Sequence, residues 1–196
     1  MYVCIQGSHQ GQLLWLEELR MRTIMATAFE NISLRGRMAY VIMCAERYAL
    51  TKKPNAEWRP VFKDLWSITE DIMWDDWSDR VMDLLPEYIY ELEAYDPDEF
   101  SWLDKEDFVQ LKELYDGMGD AWATIIRNLV DMEEIYAYTS IPGTGSESIA
   151  LAEEAIKLVR DCGIDAPDVD QVAFSSFGEN NGRGDPFDAK PLSLIL

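Results

Sequence analysis

Apolar residues recur along this chain at intervals of three and four, the spacing that lines one face of an α-helix. Residues 12–29 carry Leu13, Leu16, Leu19, Ile24 and Phe29 without proline or glycine, which predicts a first helix. Asn31 and Ser33 are N-cap candidates for the next one. That helix has the cleanest pattern: Leu34, Met38, Val41, Ile42, Ala45, Tyr48 and Ala49 share a face, and Arg35, Glu46 and Arg47 fall elsewhere. Lys52-Lys53-Pro54-Asn55 should end it, with lysine near the negative helix end and proline beyond. Asn55 can cap a third helix running to about Trp77, with Trp58, Phe62, Leu65, Ile72 and Met73 inward. Trp74 then projects about 160° away from Trp58, which predicts an exposed ring.

Pro86 and Pro97 interrupt the acidic stretch 86–103, which should be a short helix and a loop. Asp104 can cap a helix that turns Phe108, Leu111 and Tyr115 inward, and Gly117 and Gly119 mark its end. Residues 120–138 should bury Trp122, Ile125, Leu129 and Tyr136. After the turn Ile141-Pro142-Gly143, Thr144 and Glu147 have capping-box spacing. Ile149, Ala152, Ala155, Ile156 and Val159 form the last long stripe, with Glu153 and Lys157 as an i,i+4 pair and Gly163 as its C′ residue. Strand patterning is nearly absent and no fixed-period repeat occurs. The expected fold is all-α: an irregular single-domain bundle of about six to eight helices over residues 1–196, with an irregular tail over 164–196. The apolar end Pro191–Leu196 should pack down on it.

Composition supports a folded chain. Its 196 residues are 48% hydrophobic, with 7 Trp, 9 Tyr and 7 Phe, ample for one core despite the charge. No apolar run approaches the roughly 20 residues of a membrane span, and Met1–Gln6 lacks the features of a signal peptide. Cys4, Cys44 and Cys162 are odd in number and far apart, which fits reduced thiols in a cytoplasmic protein, with Cys44 as a small core residue.

Charge changes the picture most. Residues 1–63 hold 9 Lys/Arg against 5 Asp/Glu, whereas residues 64–196 hold 8 against 32. The helices of 1–63 are weakly basic and those of 64–163 strongly acidic. So much like charge repels itself, and a basic partner would offset that cost. Nucleic acid is an improbable ligand because phosphate neutralisation needs clustered Lys/Arg. An anionic membrane surface is disfavoured for the same reason.

Catalytic signals are weaker. Asp75-Asp76-Trp77-Ser78-Asp79 matches the DDxxD pattern with which all-α prenyl and terpene synthases hold Mg²⁺ and diphosphate, and carboxylates at i, i+3 and i+4 can share a helix face. The chain is short for that fold, no second ligand motif follows, and aspartate is abundant, so the match is expected by chance. His9 is the only histidine and no cysteine pair is close in sequence, so neither a zinc site nor a His-based nucleophile is expected. Gly143-Thr144-Gly145-Ser146 lacks the lysine of a phosphate cradle and reads as a helix start. Glu87 and Glu91 could do acid–base work only within a pocket. Arg183-Gly184-Asp185 matches an integrin tripeptide, which is accidental in a cytoplasmic chain. The expectation is no enzyme activity, no metal and no cofactor.

The stretch from Trp74 to Trp102 is more telling as a surface. Aromatic anchors in an acidic field suit a Lys/Arg-rich protein, since charge speeds encounter and buried rings supply hot-spot energy. The expected binding residues are Trp74, Asp75, Asp76, Asp79, Asp83, Glu87, Glu91, Glu93, Tyr95 and Asp98. Tyr88 and Trp102 are at least as well read as core.

Two segments carry a family likeness: Ile32-Ser33-Leu34-Arg35-Gly36-Arg37-Met38-Ala39-Tyr40 leading into a helix, and Gly184-Asp185-Pro186-Phe187-Asp188 followed by Leu192-Ser193-Leu194-Ile195-Leu196. With the acidic helical character, they make the chain resemble the immunity proteins of bacterial polymorphic-toxin and contact-dependent inhibition systems. The resemblance implies a non-catalytic protein that neutralises a cognate toxin domain, often a nuclease, by occluding its active or substrate-binding surface. Two alternatives stand beside it. One is an acidic nucleic-acid mimic or regulatory adaptor; the other is a Mg²⁺-dependent, diphosphate-handling enzyme using Asp75, Asp76 and Asp79.

Overall fold

Ser33 starts the helix on which the other elements are assembled. In the computed structural model, which describes residues 27–136 and 138–196, its side chain accepts from the Gly36 N–H and caps α1 (Leu34–Lys52). Then follow α2 (Arg59–Trp66), α3 (Trp74–Met82), α4 (Pro86–Glu91), α5 (Lys105–Tyr115), α6 (Asp120–Tyr136) and α7 (Ser146–Asp161), with short 3₁₀ turns after α2 and in the C-terminal tail. The described residues form no β-strand, only one isolated antiparallel bridge between Ile32 and Ser176, so the fold is an all-α bundle. The helix expected over 12–29 lies outside the described residues except for its end, where Thr27–Glu30 are helical. His9 and Cys4 also lie outside them.

Helices α1, α6 and α7 pack mutually, and α2, α3 and α4 cover the remaining flank of α1 and α6. Trp58, Phe62, Tyr115 and Trp122 fill the junction of α1, α2, α5 and α6, all fully buried. The Trp58 and Trp122 rings lie 5.2 Å apart, and those of Tyr115 and Trp122 5.6 Å. Such ring pairs add about 0.5–1.5 kcal/mol each beyond the area they bury.

One expectation for α1 fails. It does not present a single apolar face: Arg35, Arg37 and Glu46 are buried as well. The reason is the tail. Residues 164–196 are largely irregular, as the sequence implies, but they fold back over the side of α1 that an amphipathic helix would leave wet. The Ser33 N–H donates to the Ser175 carbonyl (2.8 Å), the Phe177 N–H to the Asn31 carbonyl (2.8 Å) and the Arg35 N–H to the Arg183 carbonyl (3.0 Å).

The buried charges hold this arrangement. Arg37 donates through Nε (3.1 Å) and Nη2 (2.8 Å) to the Phe29 carbonyl, and through Nη1 to the Gly145 carbonyl (3.0 Å) and Ser148 Oγ (2.8 Å). Burial pushes its guanidinium down to about 10. Gly145 leads into α7 with φ +69°, and a Cβ there would meet Arg37 Nη1 at 2.8 Å. That close approach needs glycine. The expected Thr144–Glu147 capping box is absent at this helix start, because Gly145 is the N-cap and no side chain caps it. At the other end the Schellman pattern appears: Gly163 has φ +73° and the Ile164 N–H bonds the Val159 carbonyl. Lys157 forms an ion pair with Asp161, one turn further on.

The third helix is also corrected. Asn55 caps nothing; α2 starts after Trp58 with Pro60 in its first turn, and it stops at Trp66. Arg35 Nη1 donates to the Ile68 and Glu70 carbonyls, and the Phe187 N–H takes the Thr69 carbonyl. Those acceptors are then unavailable to a continuing helix. The chain restarts as α3, so Met73 is exposed and Ile72 only half-buried, although both were expected inward.

Glu46 anchors the far end of the tail. Its carboxylate accepts from Trp66 Nε1 (2.8 Å), the Leu194 N–H (2.7 Å) and the Ser193 hydroxyl. Desolvation outweighs these donors and raises its pKa above 4.5. The unfolded chain therefore ionises at lower pH than the folded one. Stability from this group is fully present below 4.5 and is lost as pH rises through the raised folded value. Urea unfolding of Glu46→Gln against the parent chain should show a difference that shifts in favour of the variant as pH rises. Ser193→Ala should cost about 1–3 kcal/mol in the same measurement, by leaving the carboxylate short of a donor.

Candidate functional site

The acidic stretch folds into α3, α4 and the loop that leads to α5. Asp75 and Asp76 occupy the first turn of α3, where the helix dipole favours carboxylates. Both are exposed, as are Asp79, Glu91, Glu93 and Asp98. Among the described residues, neither of the ion pairs within 4 Å, Arg127–Glu87 and Lys157–Asp161, falls on these six acids. Asp79, Glu91 and Glu99 converge with Asp83, Tyr88 and Leu92 on a hollow of about 440 Å³.

On its other side α3 faces the end of α6. The Tyr138 phenol bonds Asp75, which raises its pKa. The Glu133 carboxyl is raised too, chiefly by burial, against a hydrogen bond from Ser78, with Asp75, Glu134 and Asp79 adding repulsion. No group of three or more His, Cys, Asp or Glu among the described residues is arranged to hold a metal ion.

Four of the expected binding residues are engaged within the protein. Trp74 is half-buried against the core, and the Arg35 guanidinium lies 5.5 Å from its ring centroid. The count that placed it outward assumed one helix from Asn55 to Trp77, and the break at 67–73 resets the angular register. Asp83 is 7% exposed, and its carboxylate accepts from the N–H groups of Ser101 (3.0 Å), Trp102 (2.6 Å) and Leu103 (2.9 Å). Glu87 is held by Arg127, with Nε at 2.7 Å. Tyr95 stacks on Phe100 at 5.8 Å and donates its hydroxyl to the Leu103 carbonyl (3.0 Å).

The exposed rings are others. Trp102 is 59% exposed and Tyr88 38%. Trp102 is carried on the loop that Asp83 ties down, and the Arg80 guanidinium lies 5.2 Å from its ring. No local signal marks this: the bond from Asp83 to residues 101–103 is non-local, and only the fold reveals which aromatic it lifts into solvent. Chemically, the region combines fixed anionic charge with accessible rings, among them Tyr88, Tyr90 and Trp102. That suits recognition of a cationic surface.

The chain matches no family model, no curated protein and no solved structure.

Removing the Asp83 carboxylate leaves three N–H groups without their acceptor, that of Leu103 buried, so Asp83→Ala should cost about 2–4 kcal/mol in urea unfolding. Trp74→Ala should cost about 2 kcal/mol through lost packing and the lost cation–π contact. Trp102→Ala should cost less than about 1 kcal/mol, since its ring is mostly in water.

Proposed function

We propose that this chain is a non-catalytic, cytoplasmic binding protein that neutralises a basic partner by occupying its working surface, in the manner of a bacterial immunity protein acting on a toxin nuclease domain. One observation carries the reading. Two arginines that could have neutralised the acidic face are turned inward: Arg35 and Arg37 are buried and bonded to backbone carbonyls. Asp75, Asp76, Asp79, Glu91, Glu93 and Asp98 remain exposed. An anionic surface left open in this way lowers its own repulsion when a cationic protein covers it. A nuclease must grip phosphates and therefore offers a basic cleft. The proposed contact residues are these six acids with Tyr88 and Trp102.

Co-expression with basic toxin nuclease domains and capture on the tagged protein tests the reading. Association should weaken steeply between about 50 and 500 mM salt. The combined change Asp75→Lys, Asp76→Lys and Asp79→Lys should weaken it by about tenfold or more, at a cost of no more than about 2 kcal/mol in stability from the carboxylates lost in the first turn of α3. Capture that is indifferent to both salt and charge reversal would overturn it.

A further inference from the structure

Beside the acidic face lies a second concavity, and Asp83 is the wall between them. It lines both the acidic hollow and a recess under Trp102, and that recess shares Asp64, Leu84, Leu103 and Asp107 with a groove of about 370 Å³. The groove runs between α2 and α5. Glu57, Pro60, Val61 and Asp64 form one bank; Asp107, Gln110, Leu111 and Leu114 form the other. The α5 bank repeats the i, i+3, i+4, i+7 spacing of a helix face, and on α2 Pro60, Val61 and Asp64 share one face, with Glu57 in the loop just before the helix. Yet α2 and α5 are not among the helix pairs that pack closely. Leu84 and Leu103 floor the gap, so two facing stripes stand apart over an apolar base.

The banks carry carboxylates. Glu57 and Asp64 stand on one side and Asp107 and Glu113 on the other. Cations also stand at the ends of the groove. The Lys53 amine donates to the Glu113 carbonyl (2.9 Å), and the Arg80 guanidinium lies over Trp102. No donor reaches the Asp64 carboxylate among the described residues, although it is half-buried. Burial raises its pKa, which Arg80 and Lys63 oppose and Asp107 reinforces.

We propose that the groove between α2 and α5 receives an amphipathic, Lys/Arg-bearing helix of the partner, with its apolar stripe on Val61, Leu111 and Leu114 and its cations against Glu57, Asp64 and Asp107. Two banks of helical spacing over an apolar floor match a third helix laid between them. The acidic rim selects a basic helix over an acidic one. The groove supplies the apolar anchorage that the exposed acids lack, and Trp102 closes its end. The inference rests on the reading of the protein as a binder of basic partners.

The probe is a labelled helical peptide about four turns long, with Leu at i, i+3, i+4 and i+7 and Lys elsewhere. A scrambled peptide of the same composition and a Glu-for-Lys version are the controls. At about 150 mM salt, fluorescence anisotropy should give at least about tenfold tighter binding for the striped Lys peptide than for either control. Leu114→Glu should weaken it about tenfold. Gln110→Lys, at an exposed position that leaves folding intact, should weaken it severalfold. The combined change Asp64→Asn and Asp107→Asn should act in the same direction. Equal binding of the scrambled peptide, or an affinity within about twofold in both Gln110→Lys and Leu114→Glu, would overturn the proposal. So would self-association of the chain that Leu114→Glu abolishes, since the groove would then belong to a second copy. If a basic protein is still captured through Asp75, Asp76 and Asp79 while these groove variants have no effect, the groove assignment alone fails. If no basic protein is captured at all, the underlying reading fails with it.

Discussion

Three charged side chains buried in one helix hold this molecule together. Arg35, Arg37 and Glu46 project from α1 toward the helix end before it, the starts and ends of other helices and the irregular tail, and bond them largely through backbone groups. Arg37 joins the residues before α1 to the start of α7. Arg35 ends the turn after α2 and reaches the tail at Gly184. Glu46 receives the last residues of the chain together with the Trp66 indole. Burying a charge is costly unless every donor or acceptor around it is used. Here the carbonyls and N–H groups of irregular segments are the counter-groups, so clamp and tail need each other. Without the tail, α1 would expose charges on a half-dry face. Without the charges, the tail would have little to hold it.

The same arrangement governs the surface. Arginines spent on internal carbonyls cannot balance carboxylates outside. The two halves of the chain differ in charge, and among the described residues neither ion pair, Arg127–Glu87 or Lys157–Asp161, joins one half to the other. Part of the acidity has local structural work: Asp75 and Asp76 favour the start of α3, Asp104 caps α5 by accepting from the Glu106 and Asp107 N–H groups, and Asp83 closes the 101–103 loop. The remainder stays in solvent. An anionic face of this kind speeds encounter and rejects like-charged molecules, but it confers little affinity without apolar contacts. That places weight on the neighbouring groove and on Trp102, which adjoin the acidic hollow through the Asp83 wall.

Much of the architecture was legible in the residues. Helix periodicity placed α1, α5, α6 and α7; Ser33 and Asp104 were readable as caps, and Gly163 as a C′ residue. These are local effects, settled by spacing and by the chemistry of a few neighbouring atoms. The all-α character, the acidic surplus, and the exposure of Asp75, Asp76, Asp79, Glu91, Glu93 and Asp98 follow from the same kind of information.

Tertiary structure decided the rest, because the deciding contacts lie far apart in the chain. Arg35 and Glu46 sit off the apolar face of α1 by spacing, and only the returning tail buries them. The helix pattern continues past Trp66, and only Arg35 and Phe187 take the carbonyls that would have prolonged it. That break turned Trp74 inward. The bond from Asp83 to residues 101–103 lifted Trp102 out, reversing which ring meets solvent. Periodicity reports where a side chain would point on an unbroken helix. Where the helix breaks, and what then covers it, is set by partners that no local window contains.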